Sequence, residues 1–445
     1  MEDMIMALTK QPYKGTRDFF PPLERQRQFI FRQMRHTAEL FGYEPYDGPL
    51  LEEVELYKAK SGEELINEQI YSFTDRGERF VAIRPEMTPT LARMIAQIHR
   101  ETTKPIRFYA IPNLMRYEKP QKGRLREHWQ FNVDIFGAPK RQGEFEILQV
   151  AVSLMENFGA NNTMFEILIN DRSIVEIIFK KIMKLDNELT YKLYKVIDKS
   201  KKITKEALEE MVNKLDLSPH NQNIFYQYLA LQSFTDAINL LQEHGETLAS
   251  DLSDFLNLVA KSNLKNYLTY DPAIVRGLDY YTGIVFEIFD KHPENRRAIC
   301  GGGSYADLLK IFDEPSVPGV GFGLGDVTLT DFLTTHKLLE NFSLPQNDLL
   351  LTIQDDRALV TSINLADKLR KQQLKIVNHY ETIKFNKVFP LAEKKGANFV
   401  AFIGENELNS KTVQLKNMKD KTQHTLPLDN IDEIIKVING NANRS

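Results

Sequence analysis

MRYEKPQKGRLREHWQF, residues 115–131, places Arg116, Lys119, Lys122, Arg124 and Arg126 on one short segment of a chain whose net charge is −4. Pro120 and Gly123 interrupt it. The flanking runs, IRFYAIPNLMRYE and HWQFNVDIFG, are rich in aromatic and branched residues, which predicts two strands enclosing a cationic loop. Strand alternation would put Arg116 and Glu118 on one face and Arg124 and Arg126 on another, so that guanidinium groups converge. One reading of such a run is a solvated hairpin with its charges in water. The other is recognition of a nucleotide with several phosphates, because arginine's planar fork matches phosphate oxygens and Glu118 adds an acceptor. Neither a Walker loop nor a GxGxxG fingerprint accompanies the segment, and the run Gly301–Gly303 is by itself a mark of close backbone packing.

Working outward, 445 residues predict two or three domains with proper cores. Hydrophobic residues make up 42% and charged residues 27%, the composition of a globular rather than a disordered chain. With the overall charge slightly negative, any nucleic-acid contact must use local patches. The lone cysteine, Cys300, cannot form an intrachain disulfide and fits a reducing compartment. The opening MEDMIMALTK is acidic, and its apolar run is too short for a signal peptide. No apolar stretch approaches the roughly 18 residues of a membrane span. These features predict a cytoplasmic protein without membrane contact.

Residues 22–41 carry apolar positions at Phe29, Ile30, Met34, Thr37, Leu40 and Phe41, with Pro22 in the first turn, and predict an amphipathic helix. QIYSF and RFVAI around TDRGE predict a hairpin. Thr88 is the expected N-cap of a helix through Leu91, Ile95 and Ile98. Between about 172 and 262 the texture turns helical and rich in Lys, Glu and Leu, before strand-like sequence returns with IVFEIF and ICGGGSY. A linker is expected around Leu344, Pro345 and Gln346. Beyond it, DLLLTI, ADKLRKQQ, KIVNHY, LAEKKG and NFVAFIG alternate as strand and helix, predicting a small α/β domain with a largely parallel sheet.

In this order, the motifs resemble those of class II aminoacyl-tRNA synthetases of the histidyl type. MRYEKPQKGRLREHWQF is similar to the family's motif 2. KGTRDFFPP (14–22) resembles its amino-terminal signature, and GYEPYDGPLLEE (42–53), with Pro49, its motif 1, which in the family builds a dimer interface. VRGLDYYTGIVFEI (275–288) and IRPEMT (83–88) resemble its amino-acid-binding segments. The resemblance covers nearly the whole chain except the helical stretch. It implies an α+β fold: a class II antiparallel sheet flanked by helices over residues 1–335, a helical insertion at about 172–262, and an α/β anticodon-binding domain at 346–445.

The implied reaction joins L-histidine to ATP as histidyl adenylate and transfers it to the 3′ end of histidine tRNA, in a homodimer. Arg116 would bridge the histidine carboxylate and the α-phosphate, with Arg276 acting on the same region. Glu118 would accept from the adenine amino group, and Arg124 and Arg126 would face the other phosphates. Mg²⁺ would help neutralise ATP, with no metal ligand assigned to the protein. Asp134 and Tyr281, with Tyr280 beside them, would read the imidazole, while Glu86, Thr88 and Gln130 would hold the amino and carboxylate end. The ring needs both a donor and an acceptor. A satisfied polar core is the alternative for Asp134 and the tyrosines.

Three departures stand out. Many bacterial members have glutamate where Asp134 stands, and the family's motif 3 ends in Glu-Arg where GVGFGLGDVTL has Val327 and Thr328; Ser304 replaces a further arginine. A non-catalytic, histidine-sensing paralogue is therefore the alternative, although such paralogues generally lack the anticodon-binding domain. Residues 346–445 hold 15 Lys and Arg against 12 Asp and Glu, a modest excess that a solvated face would also explain.

Overall fold

The computed structural model describes residues 9–59, 65–139, 141–201, 203–248, 251–275, 281–339 and 347–440. Arg276 and Tyr280 lie outside these residues, as does the expected linker at Leu344, Pro345 and Gln346. The chain divides into two units, Met1–Leu339 and Glu340–Ser445.

The strands of the first unit are β1 (Glu44–Pro45), β2 (Leu51–Glu53), β3 (Tyr71–Thr74), β4 (Phe80–Ile83), β5 (Ile106–Ala110), β6 (Asn113–Met115), β7 (Glu127–Phe136), β8 (Phe165–Asp171), β9 (Leu268–Tyr270), β10 (Ile284–Asp290), β11 (Cys300–Tyr305) and β12 (Gly319–Gly325). The central sheet runs β1-β5-β7-β12-β11-β10-β8-β9, with β6 paired to β7. Its inner pairings are antiparallel, while β1 on β5 and β9 on β8 are parallel. One face packs Phe131, Val133, Phe286 and Phe322 against Ile30 and Met34 of the helix Pro21–Leu40 and Ile147 and Leu148 of the helix Gln142–Asn157. The other face meets Leu91, Ala92 and Ile95 of the helix Thr88–Ile98, which pack with Tyr281, Val285 and Tyr305. The expected hairpin is β3 against β4, with Tyr71 opposite Ile83 and Asp75 holding the turn by accepting from the Gly77 and Arg79 amides.

Two local expectations change. Leu40, placed by periodicity on the apolar face, is exposed, because the helix's last turn overhangs the core that Ile30, Met34 and Thr37 reach. Thr88 does not cap its helix: Met87 holds the N-cap position and no side chain makes a capping bond, since Pro89 at the second helical position removes an amide a cap would serve. The helical insertion runs from the helix Arg172–Glu176 to the short helix Asn263–Asn266. It shares the sheet's core. Phe179, Phe225 and Tyr228 pack in one cluster with Phe165 and Ile167, and Tyr228 donates to the Pro272 carbonyl at 2.6 Å while accepting from Asn170 at 3.0 Å.

The second unit has β13 (Asn347–Ile353), β14 (Ile376–Thr382), β15 (Ala397–Ile403), β16 (Thr412–Asn417) and β17 (Gln423–Pro427) in the order β14-β13-β15-β16-β17. The first three are parallel and joined through the helices Leu359–Lys371 and Phe385–Lys395, as the alternation predicts. The antiparallel pair β16 and β17 adds to that expectation. Their signal is weak because Val413 and Leu415 alternate with Gln414 and Lys416 over only a few residues.

Candidate active site

Glycines cut a trough into the sheet. Asp134 of β7 lies opposite Gly321 of β12, and Gly321 opposite Gly303 of β11. A β-carbon on Gly321 would stand 2.1 Å from Oδ1 of Asp134, and one on Gly303 would stand 2.7 Å from Cδ1 of Tyr281. Asp134 can therefore lie along the sheet on one side and Tyr281 on the other only where both positions lack a side chain. The spelling GVGFGLG follows: glycine at every second position faces the trough, while Val320, Phe322 and Leu324 fill the core behind it. Tyr305 donates its phenolic hydrogen to Asp134. Burial pushes the Asp134 carboxyl up to about 7, with that hydrogen bond acting in the opposite direction. Gln130 stands on the same face of β7, four residues back, opposite Gly325, and a β-carbon on Gly323 would meet its amide at 2.7 Å.

Where Gly301, Gly323 and Gly325 continue this face, the trough gives onto a cavity of about 440 Å³. Arg116, Glu118, Arg124, His128, Gln130, Glu287, Arg297 and Thr328 are among its lining residues. The cationic segment enters it as a loop rather than as strand, because β6 ends at Met115 and β7 begins at Glu127. Its tip is a tight turn in which the Gln121 and Arg124 amides and carbonyls bond reciprocally, with Gly123 at φ +72°. Glu118 pairs with Arg124. Arg116 Nε donates to the Pro85 carbonyl at 2.8 Å, which ties the loop to the segment carrying Glu86 and Thr88.

Arg126 does not converge with the others. Its amide donates to the Gly15 carbonyl at 2.9 Å, its guanidinium lies 4.0 Å from the centre of the Tyr117 ring, and Nη1 donates to the Tyr13 hydroxyl at 2.7 Å. Alternation failed as a guide here because β7 begins only at Glu127 and the turn at Gly15 takes the Arg126 amide, while the Arg126 carbonyl accepts from the Arg116 amide. Among the predicted residues, then, Arg116, Glu118, Arg124 and Gln130 share the cavity, and Asp134 and Tyr281 share the trough. Glu86 is buried at the head of the helix Thr88–Ile98.

His128 was not foreseen. It lines the cavity two residues before Gln130 on the same face of β7, and burial, then Arg116, Arg17 and Arg124, push its imidazole down to about 3, so it is neutral at ordinary pH. Its alternation with Gln130 and Asp134 was the available signal. Arg17 was also unassigned. It pairs with Asp326 at 2.7 Å, and Asp326 accepts from the Trp129 amide at 2.9 Å, so the amino-terminal signature braces β7 against the helix that follows β12. Arg84 fixes the neighbouring loop through Asp47 and the Gly48 carbonyl, both at 2.8 Å, and the Asn113 carbonyl at 3.0 Å.

Compared with known proteins, residues 15–327 match the profile of the family described as histidyl-tRNA synthetase, and residues 349–438 that of the anticodon binding domain. The histidine–tRNA ligase of Leptospira biflexa is 40% identical over 419 residues, spanning 94% of this chain and 95% of its own. The crystal structure of histidyl-tRNA synthetase from Nostoc sp. PCC 7120 shares the fold with a TM-score of 0.78 at 23% identity, over 97% of this chain and 100% of that one. A Bacillus halodurans structure titled as an ATP phosphoribosyltransferase regulatory subunit/histidyl-tRNA synthetase also shares it, with a TM-score of 0.72 at 20% identity over 90% of this chain and 99% of that one. The fold is thus common to both kinds of protein that the sequence leaves in play.

Proposed function

The chain belongs to the histidyl-tRNA synthetase family, and we propose that it is an active histidine–tRNA ligase whose glycine-floored trough takes histidine and whose cationic cavity takes ATP. The observation that carries this reading is their adjacency along one face of the sheet: Asp134 and Tyr281 lie over neighbouring glycines of the trough, and Gln130, on the same face of β7, also lines the cavity with Arg116, Glu118 and Arg124. Asp134, freed of its proton, accepts from one imidazole nitrogen, and the Tyr281 hydroxyl serves the other. Glu86, Thr88 and Gln130 hold the amino acid's polar end. A histidine carboxylate oxygen then attacks the α-phosphorus, the bond to the bridging oxygen breaks, and pyrophosphate leaves. Two anions must approach for this step, so Arg116, held by Pro85, neutralises charge where it develops. Acyl transfer follows: the terminal ribose hydroxyl of histidine tRNA attacks the adenylate carbonyl and AMP departs. Arg276 and Tyr280 keep the roles that the family resemblance gives them.

Mg²⁺ fits as a companion of the substrate. Among the described residues no group of three His, Cys, Asp or Glu side chains is arranged for a metal, while Glu287 faces the cavity beside the expected phosphates, the setting in which Mg²⁺ is held by phosphate and one carboxylate. Residues 1–335 would carry activation and 346–445 would hold the tRNA anticodon. A second copy of the chain would cover the small sheet β2-β4-β3, which exposes Leu50, Leu51, Phe73 and Phe80 on and beside it. Among the described residues no helix is long and apolar enough to cross a membrane, and the reading puts the enzyme in the cytoplasm with its substrates.

Histidine-dependent exchange of pyrophosphate into ATP on the purified chain tests the reading. An active ligase exchanges only when histidine is present; a histidine-binding regulatory paralogue binds the amino acid and exchanges nothing. The match of residues 349–438 to an anticodon-binding domain favours the ligase, since such a domain serves a chain that handles tRNA.

A further inference from the structure

The cavity holds more arginine than the cationic loop brings to it. Arg116 and Arg124 are matched by two carboxylates of the same lining, Glu118 and Glu287, which leaves the pair with no excess positive charge for a polyanion. The excess comes from Arg296 and Arg297, in the connection between β10 and β11. Arg296 is exposed and Arg297 half-buried. The stem of Arg297 crosses the tip of the cationic loop: a β-carbon on Gly123 would stand 2.9 Å from Cδ of Arg297 and 3.5 Å from Cγ2 of Thr328. Three distant parts of the chain meet there. Thr328 supplies no charge, and its hydroxyl lies 3.3 Å from both the Ile299 and Gly325 carbonyls at the start of the helix Asp326–Thr335.

Arg297 differs from its neighbours in what it does with its guanidinium. Arg124 is paired with Glu118, Arg116 is held by Pro85 and Arg17 by Asp326. Arg297 makes no hydrogen bond or ion pair with the described residues. A packed stem lowers the entropy lost when the head group binds, and an unpartnered fork keeps its donors for a ligand. Resting on the ligase reading, we propose that Arg297 is a nucleotide-binding residue of this cavity: its guanidinium contacts the phosphates of ATP and supplies, from the β10–β11 connection, the cation that position 328 lacks. A charge-assisted fork of this kind is worth about tenfold or more in affinity.

The test is pyrophosphate exchange by the full chain, with ATP and histidine varied in turn, alongside calorimetric titration with ATP. Arg297→Ala is expected to raise the KM for ATP about tenfold or more and leave that for histidine within about twofold. Thr328→Arg in the Arg297→Ala background is expected to recover part of the loss. An ATP KM within about twofold of the parent overturns the proposal, as does an equal rise for both substrates without loss of thermal stability. If Arg297→Ala lowers the melting temperature, Arg297→Gln, which keeps a stem over Gly123 and removes the charge, decides by the same criterion. Should the parent chain exchange nothing, the ligase reading fails on its own, and the calorimetric comparison still decides: equal ATP affinity in parent and variant overturns the role of Arg297, weaker affinity upholds it.

Discussion

Tyr305 reaches over strand β12 to donate its phenolic hydrogen to Asp134; its ring lies over Gly319, while Asp134 lies over Gly321. The contact links β11 to β7 across a strand that Tyr305 could not cross if position 319 carried a side chain, nor Asp134 if position 321 did. Asp134 thereby faces the trough with one oxygen engaged and its carboxyl raised to about 7 by burial.

Gly321→Ala tests this relationship. The added methyl would stand 2.1 Å from Asp134 Oδ1, so the carboxylate must swing into the space assigned to the imidazole. We expect the KM for histidine to rise by about tenfold or more, with a loss of about 1–3 kcal/mol in stability from overpacking. ATP binding should change little. A normal histidine KM in exchange assays would show that the trough does not hold the ring.

The two perturbed groups of this face give opposite dependences of stability on pH. Asp134 is raised from 3.8 to about 7 in the fold, so the folded chain holds that proton where the unfolded chain has lost it. Its contribution to stability is present below about 4 and is lost as pH rises towards 7. His128 is lowered from 6.5 to about 3, so the unfolded chain takes up the proton first. Its contribution is present above about 6.5 and is lost as pH falls towards 3. Denaturant unfolding over a pH series from about 4 to 8 should show Asp134→Asn gaining on the parent as pH rises and His128→Gln gaining as pH falls. Parallel curves for all three proteins would count against both assignments.

Arg116 is held by Pro85 beside the residues assigned to the histidine carboxylate. Arg116→Ala should lower the rate of adenylate formation by on the order of 10²-fold, the scale of one lost transition-state donor. Folding should be preserved, as seen by the melting temperature. Exchange at a near-parental rate would remove Arg116 from the chemistry.

Every described residue assigned to activation precedes the boundary at Leu339. A chain ending there should keep histidine-dependent exchange, because the first unit has its own core. Charging of tRNA should fall, and the remaining tRNA affinity should depend less on salt, since cationic contacts from the second unit are gone. Undiminished aminoacylation at low tRNA concentration would refute an anticodon-binding role for residues 346–445, whereas loss of exchange would show that the second unit supports the catalytic fold.

Much of this protein is written locally. Aromatic and branched runs determined β5, β7 and β10, amphipathic spacing determined the helices Pro21–Leu40 and Thr88–Ile98, and the order of motifs determined the family, because each rests on residues near one another in the chain. Tertiary structure decided which side chains meet. Arg126, two residues from Arg124, leaves the cavity because Gly15 and Tyr13 engage it, and Arg297, far from the cationic loop in sequence, enters because β11 lies two strands from β7 in the sheet. Glycine spacing in GVGFGLG was visible, but its meaning required the register that sets Gly321 between Asp134 and Gly303. Periodicity tells which residues of one strand share a face; only pairing with other strands tells what stands opposite, and loops outside the ladder obey neither.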